Sequence, residues 1–306
     1  MRPETECSVR RLGEGGQLGS PLRAAIRLLL YFGFTLPLMP VQAAAVAFGW
    51  PLRKTLPLWY HRHCRRILGF EVEVHGRPSS HHPTLYVANH SSYFDIMILA
   101  SLVPASFIAK AEVARWPVFG WLARLQRSVF VDRNSRNAAA HRDSVAARLD
   151  QGDDLILFPE GTSNDGNRVL PFKSALFAVV EGRPPERAVA VQPVSIAYTR
   201  LDGLPMGRYL RPFFAWYGDM EMAAHMWQAV GLGRVTVEVR FHEPVTIDKL
   251  GSRKALAEYC HRQVSAGVVA ALSGRDFSAA LADGTDRHAG ATVETGGAGV
   301  RRAAVR

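Results

Sequence analysis

Residues 84–95 read TLYVANHSSYFD, and the change of character inside this stretch decides the architecture. Leu85, Tyr86, Val87 and Ala88 make a short apolar, β-prone run that stops at Asn89. Ser91 or Ser92 is then expected to cap a helix, with Tyr93, Phe94, Ile96, Met97 and Leu99 as its apolar positions. A strand running into a helix through a tight turn places His90 on the turn and Asp95 in the first or second helical turn. Residues five apart on a regular helix point in different directions. With His90 outside the helix, its ring can fold back onto Asp95. A carboxylate on one ring nitrogen fixes the tautomer and leaves the other nitrogen as a base. The competing reading is an ordinary surface pair near a helix cap.

Outward from this stretch the same alternation continues. FEVEVHG, SFIAK, SVFVD, DLILFPE, AVAVQPVSIAY and VTVEVRFHE read as strands. Residues 92–103, 112–125, 135–150, 172–181, 219–230 and 252–272 read as helices. This pattern predicts an α/β layered domain with a largely parallel central sheet flanked by helices. In DLILFPEGTSNDG the strand Leu155 to Phe158 stops at Pro159, which cannot donate to a ladder, and Gly161 permits close backbone approach to a ligand. SVFVDR puts Asp132 and Arg133 at a third strand end. Ligands bind where strands of open α/β sheets end, so three chemically loaded ends point to one site.

The chain of 306 residues is 48% hydrophobic and carries a net charge of +10, which favours an anionic partner or surface. From Leu28 to Trp50 no charged residue appears, and Arg23, Arg27, Arg53 and Lys54 flank the run. A straight helix there would be roughly 35 Å long, enough for a bilayer core of about 30 Å. Pro37 and Pro40 make a helical hairpin dipping into one leaflet the rival of a full span. Residues 52–68 mix Trp, Tyr and Leu with cations, as an interfacial helix does. The cations lie beside apolar runs rather than among stacking aromatics, which argues for membrane and against nucleic acid. Cys7, Cys64 and Cys260 form no disulfide framework, and no cysteine or acidic partner stands at ligand spacing to His61, His63, His81 and His82, so no metal is expected.

NHSSYFD, FVDR, FPEGT and the apolar VQPVSIAY, in this order over residues 70–245, resemble the glycerolipid acyltransferases of the lysophosphatidate (1-acylglycerol-3-phosphate) type. The resemblance implies an α/β domain held to a membrane by an N-terminal helical motif. It implies His90 as general base on the acceptor hydroxyl and Asp95 as its orienting partner. It also implies Lys110 and Arg133 as phosphate contacts, and Glu160, Gly161 and Thr162, with Lys173 further on, as acceptor-binding residues. No cofactor is implied; the co-substrate is a thioester, acyl-CoA or acyl carrier protein. The implied partners are a lysolipid and a membrane, at the cytoplasmic face of a bacterial inner membrane.

This sequence departs from the pattern at several points. Ser163 and Asn164 follow FPEGT where Arg is common, Ala175 replaces a usual glycine, and Arg127 with Ser128 stands where many relatives have a glycine. The stretch FPEGTSNDGNRVLPFKSALF with WYGDMEMAAHMW is similar to a lyso-ornithine lipid acyltransferase branch. The Trp and Met residues of the latter are read here as a core or membrane-facing stripe. The layout expected is a disordered tail at 1–20, a membrane-associating helical segment at 21–69, the acyltransferase domain at 70–273 and a disordered tail at 274–306. Lysophosphatidate is the default acceptor and lyso-ornithine lipid the alternative. A hydrolase using Ser91 or Ser92, without a G-x-S-x-G elbow, and a non-catalytic membrane-binding protein are the remote readings.

Overall fold

The computed structural model describes residues 18–116, 118–131 and 138–282. The expected tails lie outside the described residues up to 17 and from 283. Between 274 and 282 the chain is not a loose tail: residues 277–282 are helical, Ala280 is buried, and Phe277 packs on His242.

Among the described residues eight strands make one sheet: β1 (Phe70–His75), β2 (Thr84–Ala88), β3 (Ser106–Lys110), β4 (Val129–Val131), β5 (Leu155–Leu157), β6 (Ala190–Leu201), β7 (Leu204–Pro205) and β8 (Val235–Phe241). Their order is β1-β8-β6-β2-β5-β3-β4, with β7 paired to β6. Strands β6, β2, β5, β3 and β4 run parallel, as do β1 and β8, and the two groups meet in an antiparallel β6–β8 ladder. The central strands are covered on both faces, which is why β2 after Thr84 and β5 are continuously apolar instead of alternating. Period-two geometry sends Tyr86, Ala88 and Ile156 into one core and Leu85, Val87, Leu155 and Leu157 into the other.

The first core is closed by α1 (Pro21–Ala47), α2 (Leu52–Ile67), α3 (Phe94–Ala100) and α6 (Met222–Gly231). The second is closed by α5 (Ala138–Asp150), α8 (Arg253–Ser273) and a 3-10 helix (Ser174–Val180). Two further short helices are α4 (Phe119–Leu125) and α7 (Ile247–Leu250). The helix expected over 112–125 divides into a 3-10 helix (Ala111–Arg115) and α4, because Trp116, which precedes a proline in the sequence, is extended.

The apolar N-terminal run differs from its expectation in an informative way. Helix α1 continues unbroken through Pro37 and Pro40, and the hairpin turns at residues 48–51 instead. Tertiary contacts along its length outweigh the prolines. Arg27 donates to the carbonyls of Val230, Leu232 and Gly233, Thr35 bonds Tyr60, and the Gln42 amide donates to Arg53 and Leu125. The helix is thus fastened to the α/β body at both ends, from Ser20 at Gly231 to Gln42 at Leu125. Its other face is bare: Leu22, Leu29 and Leu36, seven residues apart and so on one side, are 70%, 75% and 59% exposed.

Candidate active site

Strands β2, β5 and β3 are adjacent, and Leu85, Leu155 and Ser106 stand level across them. Counting forward, His90, Phe158 and Lys110 all emerge at the same carboxyl edge of the sheet. Sequence distance hides this neighbourhood, and parallel pairing creates it.

His90 lies on the turn between β2 and α3, and its Nδ1 is 3.0 Å from Asp95 Oδ2. Asp95 is fully buried and sits in the first turn of α3. The expected capping is inverted. The Asp95 carboxylate reaches back to accept from the backbone N–H groups of Ser91 (2.7 Å) and Ser92 (2.9 Å), and only a long contact of 3.4 Å joins Ser92 Oγ to Phe94 N–H. An ionised carboxylate is the stronger acceptor, so it takes the amide donors of the turn that precedes the helix. The Tyr198 hydroxyl, from β6, donates to Oδ1 at 2.7 Å. These donors offset the cost of burying the charge. Since Asp95 can only accept, Nδ1 carries the proton and Nε2 presents a lone pair. The imidazole is 22% exposed and stacks on Phe158, with centroids 4.1 Å apart and planes 17° off parallel. Ser91 and Ser92 are buried, and among the described residues neither hydroxyl is bonded to the imidazole.

His90 lines a cavity of about 440 Å³ that runs from His90, Gly161 and Thr162 to the seam between α1 and α2. Gly161 has φ 72°, the left-handed region that its lack of Cβ allows, and with Thr162 it forms part of the wall. Lys110 and Ser163 also reach the cavity. Trp216, Met222 and Met226, expected as a core or membrane stripe, line it as well.

Two expected placements change. Glu160 does not line the cavity: it is buried and accepts from His90 N–H (2.8 Å), Asn164 Nδ2 (2.7 Å) and Leu170 N–H (3.0 Å). It ties the FPEGT loop to the His90 turn. Burial pushes its carboxyl up to about 7, although those donors and the nearby imidazole pull the other way. Lys173 is exposed at the start of the 3-10 helix and does not line the cavity; its backbone N–H donates to the Pro159 carbonyl. Asp132 and Arg133 lie outside the described residues.

The departures in sequence acquire reasons. Ser163 Oγ donates to the Trp216 carbonyl, and Asn164 is bonded to both Glu160 and the His90 carbonyl. The pair thus braces the loop where a cation is common. Arg127 has φ 61°, so the backbone keeps the conformation that favours the glycine of other sequences. Its guanidinium is ion-paired at 2.5 Å with Asp153. Tyr198, Phe158 and Asn164 escaped sequence reasoning; a lone tyrosine hydroxyl in the apolar run of β6 was the available signal. Among the described residues, no group of three or more His, Cys, Asp or Glu is placed to hold a metal ion.

The arrangement is a buried carboxylate, an oriented imidazole with a free nitrogen and an apolar cavity: a general base beside room for a lipid. Comparisons with known proteins agree in kind. The family described as Acyltransferase matches residues 71–197. A lyso-ornithine lipid O-acyltransferase of Brucella abortus is 45% identical, over 79% of this chain and 92% of its own length. One from Rhizobium meliloti is 39% identical over 85% and 90%. The crystal structure of the 1-acyl-sn-glycerophosphate acyltransferase PlsC from Thermotoga maritima matches with a TM-score of 0.57 and 25% identity, covering 80% of this chain and 96% of that one.

Proposed function

The chain belongs to the Acyltransferase family, and from that premise we propose that it transfers a fatty acyl group from a thioester, acyl-CoA or acyl carrier protein, to the hydroxyl of lyso-ornithine lipid. The observation that carries the chemistry is the His90–Asp95 pair opening on an apolar cavity. As the acceptor oxygen attacks the thioester carbonyl, His90 Nε2 takes its proton, and Asp95 holds the resulting imidazolium. When the tetrahedral intermediate collapses, the C–S bond breaks and the leaving thiolate takes that proton. No acyl-enzyme forms. Base catalysis of this kind contributes about 10²- to 10⁴-fold.

The acceptor reading leans on the two relatives named above, which align over nearly their whole length. Ser163, standing where a cation would serve a phosphate, supports it. Ornithine itself has no hydroxyl, so the acylated oxygen belongs to its amide-linked chain. 1-Acylglycerol-3-phosphate, the default from sequence, is the second reading, favoured by the name of the Thermotoga maritima relative.

The membrane mode proposed is supported by α1. A helix fastened to the domain over 22 residues, about 33 Å, cannot cross a bilayer without dragging the domain in, so α1 lies in one leaflet with Leu22, Leu29 and Leu36 in the acyl region. With a thioester donor, which is a cytoplasmic metabolite, the leaflet proposed is the one on the cytoplasmic face of a bacterial inner membrane.

Purified protein given a thioester and, in parallel, lyso-ornithine lipid and lysophosphatidate tests the reading. Lyso-ornithine lipid should be preferred, and His90→Ala should lower turnover by at least about 10²-fold with the fold intact by circular dichroism. Near-normal turnover by that variant would refute the base; preference for lysophosphatidate would refute the acceptor.

A further inference from the structure

A second concentration of charge lies at the amino edge of the sheet, opposite His90. Lys54, Arg127 and Arg148 all pair with the single carboxylate of Asp153: Lys54 with Oδ1 at 2.8 Å, Arg127 and Arg148 with Oδ2 at 2.5 and 2.8 Å. Arg53, Lys54 and Arg127 line a surface cleft of about 10 Å³, together with Ser106 and Gln126. Strand β3 runs from Ser106, on this cleft, to Lys110, on the wall of the catalytic cavity, so about 13 Å of strand separates the two places. Four cations against one carboxylate leave the corner short of negative charge. Burial lowers the pKa of the Arg127 guanidinium; Asp153 opposes this, and repulsion from Arg148 and Arg53 adds to it.

Two features of the chain make this placement unfavourable without an anion. Arg53 and Lys54 sit in the first turn of α2, where the helix dipole disfavours cations and no acidic residue stands. Arg127 has φ 61°, a conformation that glycine adopts more readily. A cleft of this size admits about one oxygen, so it suits one oxygen of a phosphate whose remainder stays outside. The membrane supplies that phosphate. Phe48 and Trp50 are exposed and stacked on each other in the turn just before Arg53, at the end of the helix that presents Leu22, Leu29 and Leu36. Aromatic rings beside cations are the composition of a headgroup layer. We propose that Arg53, Lys54 and Arg127 bind the phosphodiester of an anionic phospholipid, at a site separate from the catalytic cavity. A zwitterionic lipid fits less well, because its ammonium meets the same excess of positive charge. The bound lipid joins the start of α2 to the turn before β4 and so fastens the hairpin to the α/β body. This inference rests on α1 lying in one leaflet.

The test is flotation of the full chain with vesicles of phosphatidylcholine alone or of phosphatidylcholine and phosphatidylglycerol in equal parts. The wild-type protein should bind the mixed vesicles more tightly. Arg53→Gln with Arg127→Gly should lower that affinity by about thirtyfold, near fivefold for each cation, and leave binding to phosphatidylcholine unchanged. Lys54 is kept to pair with Asp153, and glycine suits the backbone at residue 127, so the circular dichroism spectrum should match the wild type. Arg53→Gln alone, with a loss of about fivefold, serves if the double variant does not fold. Arg142→Gln with Arg253→Gln, two exposed arginines on α5 and α8, controls for net charge. An equal loss in that control, or an undiminished preference for mixed vesicles in the cleft variants, overturns the site. No preference in the wild type overturns the lipid, and a melting temperature raised by inorganic phosphate then reassigns the cleft to the free ion. A wild-type protein that floats with neither vesicle refutes the membrane reading itself.

Discussion

Tyr198→Phe removes one oxygen from the deepest part of the site. The ring packing survives, because the stacking on Phe214 and the edge contact with Phe70 do not involve the hydroxyl. What is lost is the 2.7 Å hydrogen bond to Asp95 Oδ1. A hydrogen bond to a charged group contributes about 1.5–3 kcal/mol. Burial first, then the Asp95 charge, hold the phenol's pKa well above its ordinary value, so the hydroxyl remains a donor throughout any practical pH range. Without it the carboxylate has one anchor fewer and holds the His90 ring less firmly in the orientation that presents Nε2. The other groups facing the pair, the Ser91 and Ser92 amides, the Ser91 hydroxyl and the Glu160 carboxylate behind the His90 backbone, are unchanged. If half of the lost interaction appears in the transition state, kcat falls by about four- to thirteen-fold at 1.36 kcal/mol per factor of ten. KM for the acceptor should stay unchanged, because the hydroxyl lies behind the dyad and not on the cavity wall. Steady-state kinetics in mixed micelles over a range of acceptor concentrations read this directly. A variant that melts lower yet keeps its full kcat, or in which KM alone rises, refutes the positioning role.

Two other outcomes are expected. Burial of Glu160 raises its folded pKa to about 7 from an ordinary 4.5, so the folded state binds more protons than the unfolded one between these values. Stability from this group is present below about pH 4.5 and is lost as pH rises through 7, by on the order of 3 kcal/mol; denaturant titrations across that window should show Glu160→Gln flattening the slope, and an equal slope in both proteins counts against it. Replacing Leu29 and Leu36 together with Asp removes two apolar anchors that contribute about 1.5–3 kcal/mol each when buried in lipid. Vesicle flotation should fall by more than tenfold while turnover of a short-chain, soluble lysolipid persists, and undiminished flotation would exclude α1 as the membrane face.

Local pattern carried a large share of the molecule. Apolar runs ending in Asn89, Pro159 and Lys110 announced strands, their alternation with helices announced the layered α/β sheet, and a base with a carboxylate five residues on announced the dyad. Each of these depends on residues a few positions apart, where backbone geometry and periodicity act directly. The continuity of α1 was not legible. Its prolines favour a break, and the contacts that override them come from Leu125 and from residues 230–233, far along the chain.

The roles of Glu160 and Tyr198 were likewise decided in three dimensions. Motif position gave Glu160 to the acceptor, yet the crossing of two loops buries it against the His90 amide. Tyr198 is 103 residues from Asp95, and only the pairing of β2 with β6 brings them together. Sequence alone thus determined which groups could do the chemistry. The sheet's strand order decided which of them meet, because a hydrogen bond needs partners within about 3 Å and chain distance says nothing of that once loops have closed.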